Sequence, residues 1–285
     1  MEKILVPTDF SACADNALNF SVEIAKLLSS SIVLIHTIES DAGVYMDAMG
    51  VQQEREEQIL LEARQKLQLL EKAISETEKI SVEAQLYTGG VKENILSAVK
   101  DTSPDLIVMG TMGASGGLGE KIWGTKTAAI TGSSAVPVIA VPYSYTWNEP
   151  HEILFATNRF EKDAALLASL FEIAGTFKSR VHVVIFTDED NSIGSDFVDN
   201  SRGIKDYEYF LSQAFPDKNI ITAHISGSRF EETLQQYIEA NNIGMVAMVS
   251  LQRGFLSRLV HPSTTRRMAY HTTVPLLIIP DQDNP

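Results

Sequence analysis

The residues best placed to do chemistry are Gly110-Thr111-Met112-Gly113 and, after ten further residues, Gly124-Thr125-Lys126-Thr127, all following the apolar run Leu106-Ile107-Val108-Met109. A strand that delivers a glycine-rich loop into a helix start presents bare backbone N–H groups to phosphate oxygens. In this reading Gly110 lets the chain leave the strand sharply, and Gly113 lets backbone approach a phosphate that a side chain would exclude. Gly124 opens a helix whose N–H groups are joined by the hydroxyls of Thr125 and Thr127 and by the cation of Lys126. Asp9, at the end of the first apolar run, can accept hydrogen bonds from ribose hydroxyls or an adenine amino group, or can cap the helix that follows. Two better-known phosphate signatures are excluded. From Gly119 to Lys126 the lysine is displaced from its Walker A place, and no Gly-x-Gly-x-x-Gly follows the first strand. Ser115-Gly116-Gly117 resembles the loop of ATP pyrophosphatases, but it follows the fourth strand rather than the first.

These residues need elements to position them. Lys3 to Val6 is a buried-type strand, and Ala14, Leu18, Val22, Ala25 and Leu28 form one helical stripe between Ser11 and Ser30, with Ser11 as N-cap. Ser31 to Ile38 is a second strand. From Gln53 to Lys79, Ile59, Leu60, Ala63, Leu67, Leu70 and Ile74 recur at helical spacing between charges, an amphipathic helix with a solvated face. Ile80 to Leu86 alternates as a half-exposed strand, Val91 to Lys100 is a short helix, and a helix near Thr125 to Thr131 leads to a last strand, Val136 to Val141. Five strands with helical crossovers require an α/β fold with a doubly wound parallel sheet. With the first strand central, the order is 3-2-1-4-5, and the crevice opens where strands one and four end, at Asp9 and Gly110.

The chain then repeats itself. Lys3-Ile-Leu-Val-Pro-Thr-Asp9 is echoed by Glu152-Ile-Leu-Phe-Ala-Thr-Asn158, Val136 to Pro142 by Val274 to Pro280, and Leu106 to Met109 by Met245 to Val249. Two domains are expected, 1–144 and 150–285, joined through Tyr143 to Pro150. Aligning the final strands puts Ser250, Arg253 and Ser263 where the first copy has Gly110, Gly113 and Gly124, while Asn158 replaces Asp9 and Ala156 replaces Pro7. The second copy is therefore expected to have lost the phosphate loop, although Arg253 and Arg258 offer charge for some other anion.

Composition narrows the partners. A net charge of −14 opposes nucleic-acid binding, and it obliges any phosphate site to rely on local donors such as backbone amides, Lys121 and Lys126. No stretch approaches the roughly 20 apolar residues of a membrane span, and the amino terminus lacks a signal peptide's pattern, so a cytoplasmic protein without membrane partners is expected. The single cysteine, Cys13, excludes an internal disulfide framework and reads as a small apolar helix residue.

With Asp9, Gly110, Gly113, Gly124 and Thr125 in this arrangement, the first half resembles a universal stress protein domain and the whole chain a tandem of two. The spacer from Ala114 to Trp123 is one residue longer than the family's, through the extra glycine near Gly117. The resemblance implies two tandem five-stranded parallel sheets, Rossmann-like and akin to the adenine nucleotide alpha hydrolases, and ATP, with Mg²⁺, as regulatory ligand of the first domain. It implies that Pro7, Thr8 and Asp9 flank adenosine, that Thr37 meets the base through its backbone, and that Met109 packs near the sugar. It places Met112 in the loop, and Lys126 and Thr127 beside Thr125 at the phosphates. It also implies that the last strands of the two copies pair edge to edge as a pseudo-dimer within the chain, a homodimer remaining open.

Catalytic residues are hard to find. Only Glu120 lies near the loop as a candidate base, and His36, His151, His182, His224, His261 and His271 show no metal-ligand spacing. The sequence leaves open a weak ATPase, or an interaction scaffold that binds no nucleotide.

Overall fold

The computed structural model describes residues 1–39, 49–111, 125–157, 160–190, 194–250 and 273–281. Packing divides the chain into two compact units, Met1–Gly110 and Thr111–Pro285. The first holds β1 (Lys3–Thr8), α1 (Ala12–Leu28), β2 (Ser31–Ile38), α2 (Met49–Glu78), β3 (Val82–Thr88), α3 (Val91–Thr102) and β4 (Leu106–Thr111) up to Gly110. Its strands lie in the order β3-β2-β1-β4, all parallel. Ile4, Leu5 and Val6 of β1 and Leu106, Ile107 and Val108 of β4 are wholly buried, as expected for parallel strands covered on both faces. β3 is half-exposed, and its alternating sequence suits that place.

Helix α1 starts where Ser11 Oγ accepts the Ala14 N–H at 3.3 Å and stops where Ser29 adopts a left-handed conformation, φ 56°. Helix α2 buries Ala63, Leu67 and Ile74, but Ile59 is 43% exposed and does not belong to the buried stripe. Thirty residues of helix run about 45 Å, whereas the eight-residue β2 spans about 26 Å. The amino-terminal turns of α2 therefore outrun the strands they would cover.

The second unit contains α4 (Thr125–Thr131), β5 (Val138–Pro142), β6 (Glu152–Thr157), α5 (Ala164–Thr176), β7 (Arg180–Asp188), α6 (Gly194–Ala214), β8 (Asn219–Gly227), α7 (Phe230–Ala240), β9 (Met245–Ser250) and β10 (Leu276–Pro280). Its strand order is β5-β10-β9-β6-β7-β8. Thr111, the last residue of β4, accepts the Tyr143 N–H at 2.8 Å and donates its hydroxyl to the Val141 carbonyl at 3.4 Å, so β5 flanks the end of β4 and completes the order 3-2-1-4-5. β5 pairs with β10 antiparallel, Leu276 opposite Ala140, Leu277 opposite Ile139 and Ile278 opposite Val138. Both strands begin later than the apolar runs suggest, because Pro137 and Pro275 have no N–H to give a ladder.

The duplication is written in the backbone as well. Ser30 N–H bonds the Ala25 carbonyl and Ser31 N–H that of Glu2; in the second copy Ser179 bonds Ala174 and Arg180 bonds His151. The hydroxyls of Ser30 and Ser179 donate to the carbonyls of Met1 and Pro150. Even the left-handed residues recur, Ser29 with Lys178 and Ser103 with Asn242.

At the amino end of the second copy's strands the matched positions diverge. Lys3 lies opposite Ser31 and Glu152 opposite Arg180, so His182 stands where the first copy has Val33. Glu152 accepts both from the Arg180 guanidinium and from His182 Nε2–H at 2.7 Å, and the Tyr237 hydroxyl lies 2.9 Å from His182 Nδ1. A carboxylate only accepts, so Nε2 carries a proton, and the Tyr237 hydroxyl is the partner of Nδ1. The Arg180 hydrogen bonds, with His182 second, hold the Glu152 carboxyl below its ordinary range. Its contribution to stability is fully present above the unfolded value, about pH 4.3, and is lost as pH falls through the lower native value. Glu152→Gln is expected to cost about 1–3 kcal/mol at neutral pH and to flatten the acid limb of the stability profile. Urea unfolding at a series of pH values measures both, and a variant whose acid limb matches the parent's would refute this account of Glu152.

Candidate functional site

The candidate site is built first from the carboxyl ends of β1, β2 and β4. The ladder between β1 and β4 forms at Ile4–Leu106 and Leu5–Ile107, and at that register Pro7 comes level with Met109 and Thr8 with Gly110. The end of β1 is tied down locally. Thr8 Oγ1 accepts the Phe10 N–H at 3.0 Å, and Asp9 Oδ1 accepts the Ser11 N–H at 3.0 Å, an Asx turn that leads into α1. Asp9 is exposed, so its carboxylate both steers the turn and faces solvent.

Phe10 follows with φ 59°, a left-handed conformation that is rare for a bulky side chain. The residue is held there by its ring, which lies 4.4 Å from the His36 ring and has Lys66 Nζ of α2 5.5 Å from its centroid. His36 Nδ1 is 2.7 Å from the Thr8 carbonyl. A carbonyl only accepts, so Nδ1 carries the proton and the imidazole bridges β2 to β1. Thr37, half-buried, pairs with Tyr87 of β3.

On β4 the chain does not turn at Gly110. The strand continues through Gly110 and Thr111, which corrects the sharp exit expected from the sequence. What Gly110 supplies is close approach: a Cβ there would stand 2.3 Å from the Cys13 carbonyl oxygen and 2.6 Å from its carbon. The first turn of α1 rests on bare β4 backbone, and a larger residue would push the helix off the strand. Met109 is 6% exposed and belongs largely to the core. Burial first, and Asp9 second, push the Cys13 thiol above its ordinary range, which disfavours the thiolate.

In the second unit, α4 presents Lys126 to solvent and buries Thr127 to 3% exposure. Met112, Gly113 and Gly124 lie outside the described residues, as do Glu120 and the side chain of Thr125. In the second copy Ala156 is buried in β6 and Ser250 closes β9, whereas Asn158, Arg253, Arg258 and Ser263 lie outside the described residues. Pro7, Thr8, Asp9, Thr37, Met109 and Gly110 are thus gathered at the ends of three adjacent strands. Phe10, Lys66 and His36 join these residues without any motif to announce them, through ring and cation contacts and the His36 bond to the Thr8 carbonyl. The tight Thr-Asp-Phe-Ser run, with hydroxyl and carboxylate acceptors two residues before their donors, is the signal that marks the turn.

Comparison with known proteins bears on the family and the fold. A model described as the universal stress protein family matches residues 1–142 and again 150–280. A universal stress protein of Methanocaldococcus jannaschii is 26% identical over 154 residues, which cover 49% of this chain and 94% of that protein. Over nearly its whole length the fold resembles the crystal structure of a universal stress protein from Archaeoglobus fulgidus, with a TM-score of 0.75, 17% identity and 98% of each chain covered. A putative universal stress protein of Pseudomonas aeruginosa resembles it with a TM-score of 0.63 at 16% identity, covering 99% of this chain and 94% of that one.

Gly110→Ala tests the close approach. The added methyl is expected to destabilise the protein by about 2 kcal/mol, seen as a lower Tm and a lower denaturant midpoint. An unchanged Tm would mean that α1 does not rest on β4 as described.

Proposed function

Since the chain belongs to the universal stress protein family, we propose that it is a cytoplasmic regulator that binds ATP in an amino-terminal domain, 1–144, and whose carboxyl-terminal domain, 150–285, has lost the nucleotide motif. The observation that carries this reading is the meeting of an exposed carboxylate, Asp9, with the side-chain-free backbone of Gly110 at the ends of neighbouring strands β1 and β4. Ligands of open α/β sheets bind at this switch point. Asp9 would accept from ribose hydroxyls, the backbone beyond Thr37 would meet the base, and the loop through Gly113 and Gly124, with Lys126, would hold the phosphates. The site fits an uncharged nucleoside better than a free cation. Among the described residues no cluster of three or more His, Cys, Asp or Glu gathers. An Mg²⁺ ion would therefore rest mainly on phosphate oxygens and water, as that hard cation commonly does.

Loss of the motif from the second copy is supported by its sequence, where Asn158, Ser250, Arg253 and Ser263 replace the carboxylate and the three glycines. An arginine at the second glycine position would occupy the volume a phosphate needs. Bound nucleotide would act by differential affinity, favouring one arrangement of the loop and so the contacts of whatever partner reads it. The β5–β10 ladder satisfies inside one chain the edges that single-domain relatives would pair between chains.

Calorimetric titration with ATP is expected to give one site per chain, weakened about tenfold by Asp9→Ala, abolished by Gly113→Val and unchanged by Asn158→Ala. No heat at millimolar ATP would refute the nucleotide reading and leave an interaction scaffold. Phosphate release lost on Glu120→Gln would make the protein a weak ATPase instead.

A further inference from the structure

Helix α6 carries Val198, Ser201, Arg202 and Lys205 on one stripe, at the three- and four-residue spacing that brings side chains together. With Asp206 these residues line a surface groove of about 470 Å³, within the size range of small-molecule sites. Among the described residues no carboxylate forms an ion pair with Arg202 or Lys205. In a chain of net charge −14, two cations side by side that form no ion pair among the described residues outnumber the one carboxylate of the groove, Asp206.

A hydrogen-bonded chain runs beneath them. Asn200 Nδ2 is 2.8 Å from Thr187 Oγ1, Thr187 Oγ1 is 2.8 Å from His224 Nε2, and His224 Nδ1 is 2.9 Å from Ser201 Oγ. The amide fixes one end of the chain and the imidazole tautomer the other. An amide nitrogen only donates, so Thr187 accepts from Asn200, and its hydroxyl either gives its proton to His224 Nε2 or accepts from it, according to the imidazole tautomer. In the tautomer that accepts at Nε2, the imidazole donates Nδ1–H to Ser201 and leaves the serine hydroxyl proton for the groove. Burial pushes His224 below its ordinary range, which keeps the ring in the neutral form this relay uses. In that tautomer the groove presents a hydroxyl donor, a guanidinium and an ammonium together, beside the apolar edge of Val198 and the single carboxylate of Asp206.

We propose that this groove is an anion site of the second domain that takes a small organic phosphate, its phosphate on Ser201, Arg202 and Lys205 and its apolar portion against Val198. Ser201, Arg202 and Lys205 are the binding residues; Thr187, Asn200 and His224 position the serine proton. The site is independent of the nucleotide site, because every residue in it belongs to the second copy. Arginine and lysine share the recognition, the first through its planar fork and the second as a point charge.

The test uses the full chain labelled with ¹³C in its valine methyl groups and saturated with ATP, titrated with phenyl phosphate. The Val198 methyl signals, assigned by Val198→Ile, are expected to shift with a dissociation constant on the order of 1 mM or tighter. Arg202→Gln and Lys205→Gln should each weaken binding roughly tenfold. Asn200→Ala and Thr187→Val should each weaken it severalfold with both cations in place, which a merely electrostatic patch would not show. Phenol, which lacks the phosphate, should leave Val198 unmoved. Unmoved Val198 signals with phenyl phosphate, binding that survives in the Arg202→Gln/Lys205→Gln double variant, or an equal response to phenol would each overturn the proposal. Unchanged affinity in both relay variants would overturn the role given to Thr187 and Asn200. Because Val198 reports only on the second copy, these outcomes stand apart from success or failure of the ATP titration.

Discussion

Three antiparallel residue pairs between β5 and β10 hold the organisation of the second unit together. An apolar strand at the edge of a sheet exposes unpaired N–H and C=O groups to any neighbour that can pair with them. Val138, Ile139, Ala140 and Val141 on one side and Leu276, Leu277, Ile278 and Ile279 on the other are too apolar to be left as edges, and pairing them removes both liabilities at once. The same ladder explains why packing and repetition divide the chain differently. The sequence repeats at about residue 150, but β5 belongs by its contacts with β10 to the unit that begins at Thr111.

Much of this was legible in the sequence, and the reasons differ from element to element. Continuous apolar runs identified the buried parallel strands because those strands are covered on both faces, and Ser11 marked the start of α1 because an N-cap is a local hydrogen bond. Strand ends were less legible. β4 runs two residues past its apolar run because Gly110 and Thr111 are held by tertiary contacts, with Cys13 in one case and with β5 in the other. Ile59 obeys the helical period and is nonetheless exposed, since periodicity says nothing about how far the covered sheet extends. At the candidate site the carboxylate and glycine were readable from type and spacing. The left-handed Phe10 was not, because what stabilises it comes from His36 and Lys66, which are distant in sequence.

The two copies keep one backbone plan and spend their polar residues differently. Paired serines, Ser30 and Ser179, make the same two bonds, and the left-handed helix ends fall at matching places. On that shared frame the first copy retains a bare glycine and an exposed carboxylate at its switch point. The second has part-buried ionic and polar networks around Glu152 and His182 at one end of its strands, and around Thr187 and His224 at the other. Networks of this kind are costly if half-satisfied, so each fixes the position of several elements. Divergence after duplication has thus changed where polar side chains gather while leaving the hydrogen bonds that define the fold.

The β5–β10 ladder also has a consequence for the order in which the chain is made. Its two strands are separated by roughly 135 residues, and at ribosomal speeds of about 5–20 residues per second β5 emerges on the order of ten seconds before its partner exists. During that interval the first copy can complete its own parallel pairings while one apolar strand waits with an open side. The nascent chain passes through a stage at which it is most adhesive, and that stage ends only when the last strand of the second copy has been synthesised.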